Sequence, residues 1–111
     1  MGIDKELLKG STVILVLTLL EREAMYGYQM IKEIEKRSNG IFSFKEGTLY
    51  PILHALEADG FVESFWSEQA GARKRKYYRI TDRGRSHLQQ KQREWAIFRS
   101  AVDKVIGEEY V

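Results

Sequence analysis

Cysteine is absent from this chain, which excludes a disulfide framework and a thiolate metal site, and a cytoplasmic location is expected. Histidine is nearly absent too. His54 and His87 belong to no His/Asp/Glu cluster at metal-ligand spacing, and no glycine-rich phosphate loop occurs. Metal and cofactor are therefore both expected to be none, and an enzyme is not expected. Long hydrophobic runs are missing. The longest apolar stretch, Val13-Ile14-Leu15-Val16-Leu17-Thr18-Leu19-Leu20, is too short for a bilayer, which needs roughly 20 residues. No cationic segment followed by a small-residue cleavage site precedes it, so neither a secretory leader nor a membrane partner is expected. Internal repeats, low-complexity tracts and Pro/Gly/Ser linkers are not found. Proline occurs once, at Pro51.

What is there is a single domain's worth of material. A chain of 111 residues with 43% hydrophobic content can bury one core. The net charge of +2 conceals a division. Residues 1–70 hold seven Lys/Arg against eleven Asp/Glu, and residues 71–111 hold eleven against five. Positive charge is thus gathered late in the chain, as an electrostatic footprint for a polyanion would be.

The most informative stretch runs from Lys45 to Gly60. Leu49, Ile52, Leu53 and Leu56 fall at i, i+3, i+4 and i+7, along one side of a helix. Gly47, Tyr50, Pro51, His54, Ala55 and Ala58 point mostly the other way. That second face is flat and nearly uncharged, so another surface can approach it closely. Proline lacks an N–H, so Pro51 predicts a helix start near Gly47 or Thr48, with Thr48 as N-cap. Asp59-Gly60 predicts its end.

Two stretches rich in aromatic and β-branched residues come next, Phe61–Trp66 and Arg75–Ile80, with Ser67–Ala72 between them as a hairpin loop. Arg73, Lys74, Arg75, Lys76 and Arg79 crowd together with no acid among them. Such a cluster repels itself unless a polyanion neutralises it. Upstream, Tyr26–Lys36 reads as a partner helix with an apolar stripe of Met30, Ile31 and Ile34, closed by Ser38-Asn39-Gly40. A surface helix beside a basic hairpin predicts a winged helix-turn-helix, mainly α with a small β-hairpin, over residues 1–80.

A first helix is expected from about Asp4 to Glu21. Its apolar centre implies burial both in the core and against a second subunit. Thr81 predicts the cap of a last helix, Asp82 to about Ile106. There Leu88, Trp95 and Val102 recur every seven residues, with Phe98 and Val105 three after two of them, and Lys91 interrupting. A helix of ~25 residues spans roughly 37 Å, too long for one small domain to cover. Residues 81–111 are therefore expected to be a dimerisation helix. Leu8, Leu15, Leu88, Trp95, Phe98, Val102 and Val105 are the expected contacts of a homodimer.

The chain resembles the PadR family of bacterial transcriptional regulators, in its short-tailed branch with one C-terminal helix. The likeness rests on Tyr26-Gly27-Tyr28, Gly47-Thr48-Leu49-Tyr50-Pro51, Leu56-Glu57-Ala58-Asp59-Gly60 and Arg75-Lys76-Tyr77-Tyr78-Arg79-Ile80-Thr81, and covers nearly the whole chain. It implies a homodimeric repressor on a palindromic double-stranded DNA operator, often released by a small molecule or stress signal. It also implies that Trp95, at the position where drug-sensing members stack flat ligands, could hold a small aromatic effector; packing of the dimer is the alternative for that residue. One departure is visible. Many members carry His where this chain has Tyr26.

On that frame the face of the recognition helix enters the major groove, where Thr48, Tyr50 and His54 reach phosphates or base edges. Tyr28, Gln29, Lys32 and Lys45 hold the backbone, and Arg73, Lys74, Arg75 and Lys76 bring the wing onto phosphates or into the minor groove. No Arg or Asn stands on the open helix face, so shape, thymine methyls and half-site spacing are expected to carry specificity. A winged helix used only for protein contact is the competing class. Its mark would be a neutral or acidic wing.

Overall fold

The computed structural model describes residues 10–68 and 73–107. In chain order it forms α1 (Thr12–Arg22), β1 (Met25–Tyr26), α2 (Gly27–Arg37), α3 (Glu46–Ala58), β2 (Val62–Ser67), β3 (Arg75–Ile80) and α4 (Asp82–Ile106). This is the winged helix-turn-helix expected, with one strand more. The sheet has three antiparallel strands in the order β1-β3-β2. Tyr26, expected to open α2, instead ends β1 and pairs with Tyr77.

The expected first helix is shorter at its start. Gly10 and Ser11 form a turn and the apolar run begins at Thr12. Glycine is a poor helix residue and serine prefers caps, which explains the break. Residues 4–9 lie outside the described residues. Val16, Leu17, Leu19 and Leu20 of α1 are buried, and Val13, Ile14 and Leu15 pack partly covered against the same core.

Around α1 the core gathers Met30 and Ile34 of α2, Leu49, Leu53 and Leu56 of α3, and Val62, Tyr78 and Ile80 of the sheet. Leu88 completes it and is fully buried. That corrects its expected role as a dimer contact. Heptad spacing records that a side chain is covered, and here the chain's own head covers it. Gly84, one turn earlier, explains how α4 comes so close. A Cβ at that position would collide with the carbonyl oxygen of Phe61.

Helix α3 starts at Glu46, earlier than Pro51 seemed to allow, with Lys45 as N-cap. Thr48 is therefore not the cap; it stands exposed in the first turn, where its N–H donates to the Lys45 carbonyl at 3.0 Å. Pro51 withholds a donor only from Gly47, whose carbonyl is on an exposed part of the turn and can use water. The expected stop holds. Gly60 has φ +80°, Gly60 N–H donates to the Glu57 carbonyl at 3.0 Å, and Phe61 N–H donates to the Leu56 carbonyl at 2.9 Å. These are the two bonds of a Schellman end.

Thr81 joins the elements. Its Oγ1 accepts from the Gly84 N–H at 3.0 Å and donates to the Gly60 carbonyl at 2.6 Å, so one hydroxyl caps α4 and ties it to the end of α3. Past Leu88, α4 leaves the head and runs on to a left-handed Gly107. The described molecule extends 55 Å along its longest axis.

Candidate nucleic-acid interface

The open side of α3 carries Glu46, Gly47, Thr48, Pro51, His54, Ala55 and Ala58, all exposed. Tyr50 behaves differently from its expected neighbours. Its ring lies over the start of α2, where a Cβ on Gly27 would meet the Tyr50 hydroxyl. Glycine at 27 is what lets the two helices approach. Burial, and secondarily the nearby Glu46 carboxylate, hold the Tyr50 hydroxyl above its ordinary pKa. Tyr50 is thus a packing residue with one edge outward, its ring 6.4 Å from the exposed His54 ring.

Across from this edge stands the wing. Tyr26, Tyr28, Glu46, Tyr50, Trp66, Arg73, Arg75 and Lys76 line a cleft of about 690 Å³ between α3, the start of α2 and the hairpin. Five residues expected to touch DNA (Tyr28, Tyr50, Arg73, Arg75 and Lys76) are brought together there. Tyr26, Trp66 and Glu46 complete the wall and escaped the sequence reading. Strand alternation was the signal that could have placed Trp66, because Val62 and Ser64 share its face. Glu46 was hidden by the assumption that the helix began after it.

The outer side of the sheet fixes the arginines. Tyr26, Tyr77 and Phe65 meet across the three strands, at 5.4 Å edge-on and 5.7 Å stacked. Arg75 lies over Tyr26 at 4.5 Å and Arg79 over Phe65 at 4.5 Å. Arg79 also pairs with Glu63 at 2.6 Å across the hairpin. The five-cation cluster therefore has an internal acid after all, supplied by strand register and invisible in sequence order. Among the described residues, no ion pair joins Arg73, Lys74, Arg75 or Lys76 to a carboxylate.

Other expected residues lie close by. Lys32 sits over the Tyr28 ring at 5.4 Å and pairs loosely with Glu35 at 3.9 Å. Gln29 has an internal task, since its Oε1 accepts the Tyr26 N–H at 3.4 Å and secures the start of α2. Lys45 and Lys74 are exposed, though neither lines the cleft.

The residues expected to join two subunits are on another part of the molecule. Trp95, Phe98, Val102 and Val105 are exposed on α4 beside Ile97 and Ile106. Trp95 and Phe98 rings stack at 6.0 Å, and a hollow of about 270 Å³ runs from Phe98 to Ile106. Lys91 pairs with Glu94 at 3.4 Å. The Glu94 carboxyl is held below its usual range by hydrogen bonds from Gln90 and Lys91 and by the Lys91 charge. Leu15 borders a separate apolar hollow of about 240 Å³ between α1 and α2. Leu8 lies outside the described residues.

A sequence model of the transcriptional regulator PadR-like family matches residues 16–90, from the first buried turn of α1 to just beyond Leu88. The chain belongs to that family. A transcriptional regulator from Clostridium thermocellum superposes with a TM-score of 0.82 at 31% identity, over 89% of this chain and 96% of that one. A PadR family regulator from Eggerthella lenta gives 0.79 at 38% identity, over 91% and 86%. The negative transcriptional regulator PadR of Bacillus subtilis is 24% identical over 86% of this chain, which spans half the length of that protein. PadR-like proteins are transcriptional regulators and not enzymes, and membership implies DNA binding. Where the resemblance led to the expectation of a histidine, this chain has Tyr26. Its ring joins Tyr77 and Arg75 instead.

Proposed function

We propose that this PadR-like regulator is a homodimeric repressor that holds a palindromic operator between two copies of the cleft. The carrying observation is the pairing of the flat open face of α3 with four wing cations that, among the described residues, form no ion pair with a carboxylate. A duplex supplies the missing negative charge, and the flat face suits close entry into the major groove. The wing then rests on phosphates or in the minor groove. Lys45, Thr48 and His54 border the reading surface, and Tyr28 and Lys32 flank it.

The exposed apolar stripe of α4 is the proposed subunit contact. Trp95, Phe98, Val102 and Val105 exceed what a small solvated helix leaves bare, and a second copy covers them by two-fold symmetry. In this division the head takes residues 1–80 plus the first two turns of α4, and the remaining length of α4 joins the subunits. A small aromatic effector is proposed to enter beside Trp95, where a planar ring can stack. The cell compartment is proposed to be the cytoplasm. Among the described residues no helix is long and apolar enough to cross a membrane.

The test is a gel shift on DNA from upstream of the chain's own gene, with sedimentation of the same sample. Two protomers per palindromic site are expected, with weaker binding to scrambled duplex. Absence of any shift at low ionic strength, with the protein folded, would leave the winged head as a protein-contact module.

A further inference from the structure

Trp66 is the most exposed large hydrophobic residue of the described chain outside α4, at 64%. An indole so placed forgoes the gain of burial, and among the described residues no aromatic ring stacks on it. Strand register says which way it looks. Val62 is buried, and Ser64 donates to the Glu57 carboxylate of α3 at 2.6 Å. Both belong to the β2 face turned toward α3. Trp66 is next on that face, beyond the end of the core, beside Lys76 on the paired strand. The surface that builds the core at Val62 becomes the wall of the cleft at Trp66.

The cleft therefore offers Lys76 and one large apolar plate side by side on one face of the hairpin, with Arg73 and Arg75 also lining it from the wing and Glu46 lining it from α3. A DNA strand presents a matching alternation, negative phosphates separated by largely apolar deoxyriboses. We infer that the cleft seats the sugar–phosphate backbone of one DNA strand, with phosphates on Arg73, Arg75 and Lys76 and a deoxyribose edge against Trp66. Glu46 repels phosphate from the α3 side, which keeps the strand on the wing. This assignment rests on the DNA-binding reading above and adds to it a contact that is not electrostatic.

That distinction supplies the experiment. Affinity of the full chain for a mixed-sequence duplex is measured across a salt series for the wild type, W66A, W66F and R75A/K76A. W66A should weaken binding on the order of ten-fold with the slope against salt unchanged, and W66F should restore most of the loss. R75A/K76A should lower the slope itself. In parallel, the W95F variant, whose remaining indole is Trp66, should change its emission as duplex is added. Unaltered W66A affinity together with a silent Trp66 signal, while the wild type still binds, would overturn the assignment and leave DNA binding standing. A W66A variant whose slope falls as far as that of R75A/K76A would also overturn it, making Trp66 a support for the cations. If the wild type binds no duplex, the DNA-binding reading fails first, and this one with it.

Discussion

Thr81 is the residue on which the joint between reading helix and C-terminal helix turns. Losing its hydroxyl removes the cap on Gly84 N–H and the bond to the Gly60 carbonyl together. T81A should therefore destabilise the protein by about 2 kcal/mol in urea unfolding, while T81S keeps most of the stability. Tyrosines give a second expectation. Burial holds the hydroxyls of Tyr50 and Tyr78 above their ordinary value of 10.0, with Glu46 adding to the first and Glu57 and Tyr50 to the second. An acid whose folded pKa is raised favours the protonated native state, so its contribution is complete below 10.0 and is lost as pH climbs through the folded value. Stability should thus fall in the alkaline range, and the fall should be shallower in Y50F/Y78F, measured by denaturant midpoints at successive pH. The same two residues show what residue types conceal. Tyr50 looked like a groove contact because it shares a helix side with His54. Its glycine partner at 27 lies 23 positions earlier in the chain, and no local rule connects them.

Among the elements, the hairpin carries the electrostatics. Replacing Lys74 and Arg75 by alanine should weaken binding to every duplex sequence and reduce the slope of log affinity against log salt by up to about two. A slope identical to the wild type would take the wing off the phosphates. Arg79→Ala should move that slope less, because Glu63 already neutralises Arg79 within the sheet. The large elements were legible from the sequence. Thr81 and the hydrophobic spacing marked both ends of α4, and Asp59-Gly60 marked the end of α3. Short or conditional features were not. β1 has only two residues, too few for any periodicity, and exists because β3 offers it a partner. The start of α3 was set too late because Pro51 was weighed as a barrier; its only effect is to leave one exposed carbonyl to water. Of the cleft, the cations and Tyr28 could be read from composition and motif. Trp66 was legible in its alternation with Val62 and Ser64 but was passed over, and Glu46 was hidden by that same misjudged helix start.

For the whole molecule, the decisive quantity is how two copies hold one another in the proposed dimer. F98E/V102E puts four carboxylates into the proposed contact of a dimer and should give a folded monomer by sedimentation, with affinity for a two-site duplex falling at least ten-fold as the second head is lost. A dimer that persists would move the contact elsewhere. Trp95 can be watched in W66F, where it is the remaining indole. Planar aromatic compounds should quench it and release bound duplex in the same concentration range, and a compound that favours neither DNA-bound nor free geometry can do neither. The buried start of α4 gives such a signal its leverage. Gly84 and Leu88 embed the near end of a roughly 37 Å rod in the head, so in the proposed dimer a tilt of the rod would carry the head with it. A tilt of about 5° displaces the far end by roughly 3 Å, close to the ~3.4 Å step between neighbouring base pairs. In the proposed dimer, a wedge no thicker than one aromatic ring would be enough to put the two reading heads out of phase with the grooves.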